Sequence, residues 1–208
     1  MSTTQHTDAI EMAKARRRPL PDTPQVRAYI RLIKEVSQFH DALVQASPSE
    51  QQLTEVTETL ASVRGVLEDT AVAEREQLYG NGQLGGPNQL LMPPITYDAL
   101  ADDELRAHTV ANKYYMGLND TMHGGVVSVL FDTVMGRMAV GTEGRVCRTA
   151  YLTTHYRNIT PIGERLDLHV AVEKAEGRKR FITGQLWHGE TLCAEAESLF
   201  IEVKAGQQ

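Results

Sequence analysis

The chain is short of most residues that advertise chemistry. Its 208 residues hold two cysteines, Cys147 and Cys193, with no Cys-x-x-Cys pair. That excludes a disulfide scaffold and a thiolate metal knuckle, and it fits a reducing cytoplasm. Apart from His6 and His123, the histidines (His40, His108, His155, His169, His188) show no His-x-x-x-His spacing, so no metal is expected. No glycine-rich nucleotide loop and no Ser/His/Asp signature stands out. No stretch approaches the roughly 20 apolar residues that span a bilayer, and Met1 to His6 lacks the apolar core of a secretory signal. A net charge of −6 argues against wholesale nucleic-acid binding, Arg16-Arg17-Arg18 being only a local basic run. With 41% hydrophobic and 23% charged residues, the composition is that of an ordinary globular domain.

What is present falls into three parts. Residues 1–21 are polar and expected to form a disordered tail. Residues 22–85 read as a helical hairpin. Thr23 and Pro24 open its first helix as N-cap and first helical residue, and Val26, Tyr29, Ile30, Ile33, Val36, Leu43 and Val44 follow at helical spacing. Ser47-Pro48-Ser49-Glu50 has the form of a capping box, and Leu53, Val56, Leu60, Val63 and Leu67 continue as one stripe. Gly80-Asn81-Gly82 and Gly85-Gly86-Pro87 close the region. Such stripes are packing elements more often than chemistry, so this part is expected to cover or contact something.

Residues 86–208 change character. A strand is expected over His108–Met116 and a helix from about Gly125 to Val140. Strands then follow over Thr149–Arg157, Arg165–Ala175, Lys179–Trp187 and Thr191–Val203. Glu176-Gly177-Arg178 and His188-Gly189-Glu190 read as glycine-centred hairpin turns. One helix, apolar on every side and therefore expected to be enclosed, followed by hairpin-linked strands implies an α+β domain with an antiparallel sheet wrapped on that helix.

The helix carries the informative motif. Met122-His123-Gly124-Gly125 opens it, and Asp132 stands nine residues after the histidine. A charge inside an apolar helix is costly unless a partner or a function compensates. Two glycines at a helix start expose backbone N–H groups to a ligand. Nine residues along a helix is about 13.5 Å, so the helix mouth and Asp132 of one chain are too far apart to act on a single carbonyl. If both take part, they come from different subunits.

His-Gly-Gly with Asp nine residues on, Tyr156 to Gly163, Gly177-Arg178-Lys179 and Leu192 to Glu197 together resemble the hotdog-fold acyl-CoA thioesterases of the phenylacetate (PaaI-type) branch, over residues 90–203. The resemblance implies a homodimer or dimer of dimers acting on an acyl-CoA, with coenzyme A as part of the substrate and no separate cofactor. It implies Asp132 as nucleophile or general base, the Gly124 N–H as oxyanion donor, and His123 as an orienting group. Thr149 would hold the carboxylate or water. Gly125 belongs to the binding turn, and Arg157, Arg178 and Lys179 are phosphate-binding candidates. Some relatives place an Asn six residues before the histidine; here that position is Gly117, with Asn119 as the nearest substitute. Two other readings stay open: a non-catalytic acyl-CoA-binding or scaffold protein using the hairpin to hold a partner, and a hotdog hydratase. The hydratase is disfavoured because Arg137 stands where its catalytic histidine would be expected. Val127, Leu130, Phe131, Met135 and Met138 suggest an apolar lining for the acyl group, and which of them face the substrate depends on the dimer.

Overall fold

The computed structural model describes residues 20–73, 76–78, 90–143 and 145–204. Helices α1 (Pro24–Leu43) and α2 (Glu50–Glu68) come first. They are followed by β1 (Ile95–Leu100), β2 (Glu104–Val110), a 3-10 turn (Lys113–Tyr115) and α3 (Gly124–Val140). The chain ends on β3 (Cys147–Tyr156), β4 (Arg165–Glu176), β5 (Lys179–His188) and β6 (Thr191–Glu202). The strands form one antiparallel sheet in the order β1-β2-β4-β5-β6-β3. Alternate residues of the sheet face α3: Leu105 and Ala107, Leu166, Leu168 and Val170, Ile182 and Leu186, then Ala194, Ala196 and Phe200 are all buried. From α3 come Val127, Leu130, Phe131, Val134, Met135 and Met138, each at most 1% exposed. This is the expected sheet curled around one long helix. The two hairpin glycines, Gly177 and Gly189, both sit at φ 56°, where other residues are strained.

One close approach holds the helix against the sheet. A Cβ on Gly184 of β5 would lie 3.0 Å from the Phe131 ring, so the missing side chain makes room for that ring against the strand.

Several expectations are corrected. The strand placed at His108–Met116 runs instead from Glu104 to Val110, and Lys113–Tyr115 forms the 3-10 turn. β1 was not foreseen. The capping box of α2 uses Ser49 with Gln52, not Ser47 with Glu50, because the helix starts only at Glu50 and Ser49 is its extended N-cap. The stop signals from Gly80 to Pro87 lie outside the described residues, as does all of the tail up to Pro19; α2 itself ends at Glu68.

The first two helices differ in what they touch. α1 is capped by Thr23, whose side chain accepts from the Val26 N–H at 3.2 Å. It buries Val26 and Ile33, and it docks on the 3-10 turn, where His40 stacks on Tyr114 at 4.3 Å and Asn112 donates to Ser37 at 3.4 Å. α2 buries none of its residues. Leu53, Val56, Leu60, Val63 and Leu67 are each 42–52% exposed.

Candidate active site

Both ends of the sheet are edges, but they are finished differently. β1 is short, and its register shifts between Tyr97 and Ala99, around Asp98. Asp98 accepts from His108 at 2.8 Å and pairs with Arg165, so charge and irregularity blunt this edge. β3 is ten residues long and, among the described residues, borders only β6 and pairs with nothing at its other edge.

Along that edge, β3 meets one face of α3 at four-residue intervals. At the helix mouth, the Tyr156 hydroxyl donates to the Gly124 carbonyl at 2.8 Å and lies 3.1 Å from Ser128 Oγ. In the middle, Ser128 Oγ is 3.1 Å from Thr154 Oγ1. Further on, Thr149 Oγ1 donates to Asp132 at 2.8 Å. Gly124, Ser128 and Asp132 share a helix face because four residues are close to one turn. Thr149 reaches the same face only because of a bulge. Thr149 pairs with Phe200 and Tyr151 with Leu199, so Ala150 is an extra residue and the in-out alternation changes phase there. A straight strand would put Thr149 and Thr154 on opposite faces.

The mouth of α3 is set for an anion. His123 is the N-cap; its Nδ1 accepts from the Gly125 N–H at 3.0 Å. With Nδ1 accepting, neutral His123 carries its proton on Nε2 and presents a donor outward. The His123 backbone is tied by its own N–H to the Tyr115 carbonyl at 2.9 Å. Among the described residues, the Gly124 N–H has no acceptor, and it lies at the positive end of the helix dipole. A Cβ on Gly124 would sit 3.1 Å from the Tyr156 hydroxyl, so glycine is what lets the phenol close on this turn.

A hollow of about 440 Å³ opens here, lined by Met122, Gly124, Gly125, Val127, Tyr156 and Asn158 among others. A slightly larger one, about 500 Å³, lies on the sheet's outer face and is lined by Glu104, Glu173, Glu195 and Glu197 with His155 and His169. Its carboxylates would repel phosphates, so the Gly124 hollow is the better seat for an anionic ligand.

The expected site residues therefore fall into two groups. His123, Gly124, Gly125 and Arg157 cluster at one end of β3. Asp132 and Thr149 lie at the other, about 12 Å away along the helix. Arg178 and Lys179 belong to the Asp132 end, since Lys179 and Arg148 both pair with Ile201. Arg157 is held by Glu195, to which its Nε donates at 2.9 Å, and Arg178 donates to the Glu202 carbonyl at 2.9 Å. Asn119 is exposed at the tip of the loop before the helix, with φ 56°. Its backbone makes the turn, and it does not border the hollow.

One reading is overturned. Asp132 is exposed in the single chain rather than buried, because among the described residues nothing covers α3 beyond the free edge of β3. Leu130, Phe131, Met135 and Met138 pack the domain core, and Val127 is the member of that set that borders the hollow. Ser128, Thr154 and the hydroxyl of Tyr156 were not singled out. The four-residue repeat from Gly124 to Ser128 to Asp132 was the available signal for Ser128. Of the thiols, Cys193 is buried, and burial pushes its pKa up, which makes it a poor nucleophile.

Residues 119–195 match the family model described as the thioesterase superfamily. The acyl-coenzyme A thioesterase THEM4 of Xenopus laevis is 37% identical over 92 residues, which are 43% of this chain and 41% of that protein. A putative esterase of Pseudomonas aeruginosa is 33% identical over 82 residues, 38% of this chain and 61% of its own. The chain thus spans about two-fifths of the length of THEM4. The crystal structure of a thioesterase superfamily protein superposes with a TM-score of 0.72 at 28% identity, covering 88% of this chain and 97% of its own. Such coverage exceeds the sheet domain and takes in the helical region before it. A Streptococcus mutans protein solved bound to acetyl CoA shares the fold, with a TM-score of 0.50 at 14% identity over 52% of this chain and 88% of its own.

Proposed function

The domain wrapped around α3 belongs to the thioesterase superfamily, and on that premise we propose that this chain hydrolyses the thioester of an acyl-coenzyme A as a homodimer or dimer of dimers. The observation that carries the reading is the split site. Among the described residues, a backbone N–H with no acceptor at Gly124 and an exposed carboxylate at Asp132 stand at opposite ends of one strand with an unpaired edge. Pairing β3 antiparallel with a second β3 about its middle lays the Thr149 end of one chain over the Tyr156 end of the other. Asp132 of one subunit then faces Gly124 and His123 of its partner.

In that arrangement the acyl carbonyl oxygen accepts from the Gly124 N–H, which stabilises the charge that develops on it. Nε2–H of His123 orients the same oxygen. Asp132, held by Thr149, either attacks the acyl carbon, expelling the thiolate and leaving an anhydride for water to open, or takes a proton from an attacking water. Arg157, Arg178 and Lys179 receive the coenzyme phosphates; exposed ion pairs such as Arg157–Glu195 are weak enough to exchange partners. Coenzyme A enters with the substrate, and no separate cofactor is called for. Two free thiols suit a reducing cytoplasm. Among the described residues no helix is long and apolar enough to cross a membrane. The hydratase reading is further disfavoured because Arg137 donates to the Gly141 carbonyl at the end of α3 and supplies no acid or base.

The test is Asp132→Asn. It should preserve fold and acyl-CoA binding while removing most turnover. Hydrolysis at the wild-type rate by this variant would overturn the mechanism. Tight binding with no hydrolysis by the wild-type chain, across acyl lengths, would favour the non-catalytic reading.

A further inference from the structure

The apolar residues of α2 are spaced 53, 56, 60, 63 and 67, alternating steps of three and four. This is a 3.5-residue repeat, narrower than the stripe of a helix lying on a globular core, and it fits the seam of a two-helix coiled coil. Among the described residues nothing covers it. The positions flanking the seam are Glu50, Gln52, Thr57, Thr59, Arg64 and Val66, while Glu55, Glu58 and Glu68 lie on the outer side. A mostly uncharged flank neither selects a foreign sequence nor repels a copy of itself. Thr57 and Thr59 are ready to be covered, because their hydroxyls already donate to the Leu53 and Glu55 carbonyls at 2.8 Å.

We propose that α2 pairs antiparallel with α2 of a second copy of this chain. Charge complementarity sets the direction. With Leu53 opposite the second copy's Val63 and Val56 opposite its Leu60, Glu50 of each helix lies beside Arg64 of the other, at both ends of the seam. The parallel alignment sets Thr59 beside Arg64 and forms no ion pair. Arg64 now makes only an exposed contact of 3.2 Å with Glu68 in its own helix, which it can give up. Fewer than three heptads buries less than the roughly 1,200–2,000 Å² of a stable interface. The pairing therefore adds to contacts between sheet domains and does not depend on the chemistry proposed for them.

The experiment is cysteine cross-linking in the full chain. Thr57 faces its own copy across the antiparallel dyad, so Thr57→Cys should give a covalent dimer under mild oxidation. Glu58→Cys, on the outer side, and the wild-type chain should not. Adding Leu60→Glu to Thr57→Cys should abolish the cross-link while circular dichroism shows the helix retained. Cross-linking of Thr57→Cys no faster than Glu58→Cys would overturn the proposal. So would efficient self-cross-linking of Leu53→Cys, which only a parallel pair allows.

Discussion

Replacing Gly124 with alanine separates backbone preference from the contact that shapes the helix mouth. Gly124 has no positive φ, so alanine is conformationally acceptable there and should gain about 0.5–1 kcal/mol by restricting the unfolded chain. The added Cβ, however, lands 3.1 Å from the Tyr156 hydroxyl and 3.2 Å from its Cζ. Tyr156 must then swing out, giving up its bonds to the Gly124 carbonyl and Ser128. Each is worth about 1 kcal/mol, less at a site this exposed. The net expectation is destabilisation by about 1 kcal/mol, or 2–4 °C in Tm for a chain of this size, measured by thermal unfolding. In a Tyr156→Ala background the sign should reverse, because the obstacle is gone and the backbone gain remains. If alanine at 124 stabilises the wild-type chain, or destabilises both backgrounds equally, the phenol is not what requires the glycine.

Two further outcomes follow from the core. Gly184→Ala places a Cβ 3.0–3.1 Å from the fully buried Phe131 ring and 3.4 Å from Met135, so it should cost about 1–3 kcal/mol in denaturant unfolding; Phe131→Leu in the same chain should recover part of that. Burial pushes the Tyr97 hydroxyl up to about 12, although Arg137 pulls the other way. Its folded value is raised, so this contribution is complete below pH 10 and is lost as pH rises from 10 to 12. Tyr97→Phe should flatten that part of the stability profile, with one late-titrating phenol missing from the absorbance titration.

Elements whose local rules agree with their environment were legible in sequence. The helix opening at His-Gly-Gly, the last four strands and the glycine turns at 177 and 189 all fall within a few residues of expectation. Failures came where tertiary demands override periodicity. Lys113, Tyr114 and Tyr115 look like strand residues, but they form a turn because Tyr114 stacks on α1 and Tyr115 anchors the Met92 carbonyl at 2.7 Å. Ser128 hid in a run of valines. Asp132 reads as a buried charge because a helix so apolar is ordinarily covered all round, whereas among the described residues nothing covers the helix beyond the free edge of β3. Thr154 and Tyr156 were invisible as partners of the Asp132 face, since strict alternation assigns them and Thr149 to opposite sides.

The bulge at Ala150 makes the strand's ledger of faces a matter of counting. Seven chain steps separate Thr149 from Tyr156, an odd number, yet only six rungs of the ladder do. Ironing the strand flat while keeping the Tyr156 end in register would put Ala150 opposite Phe200 in place of Thr149 and turn the Thr149 hydroxyl to the other face. The hydroxyl that donates to Asp132 would be exchanged for a methyl group that donates nothing. A single surplus residue thus brings a hydroxyl donor to Asp132 that the strand's plain alternation would turn away.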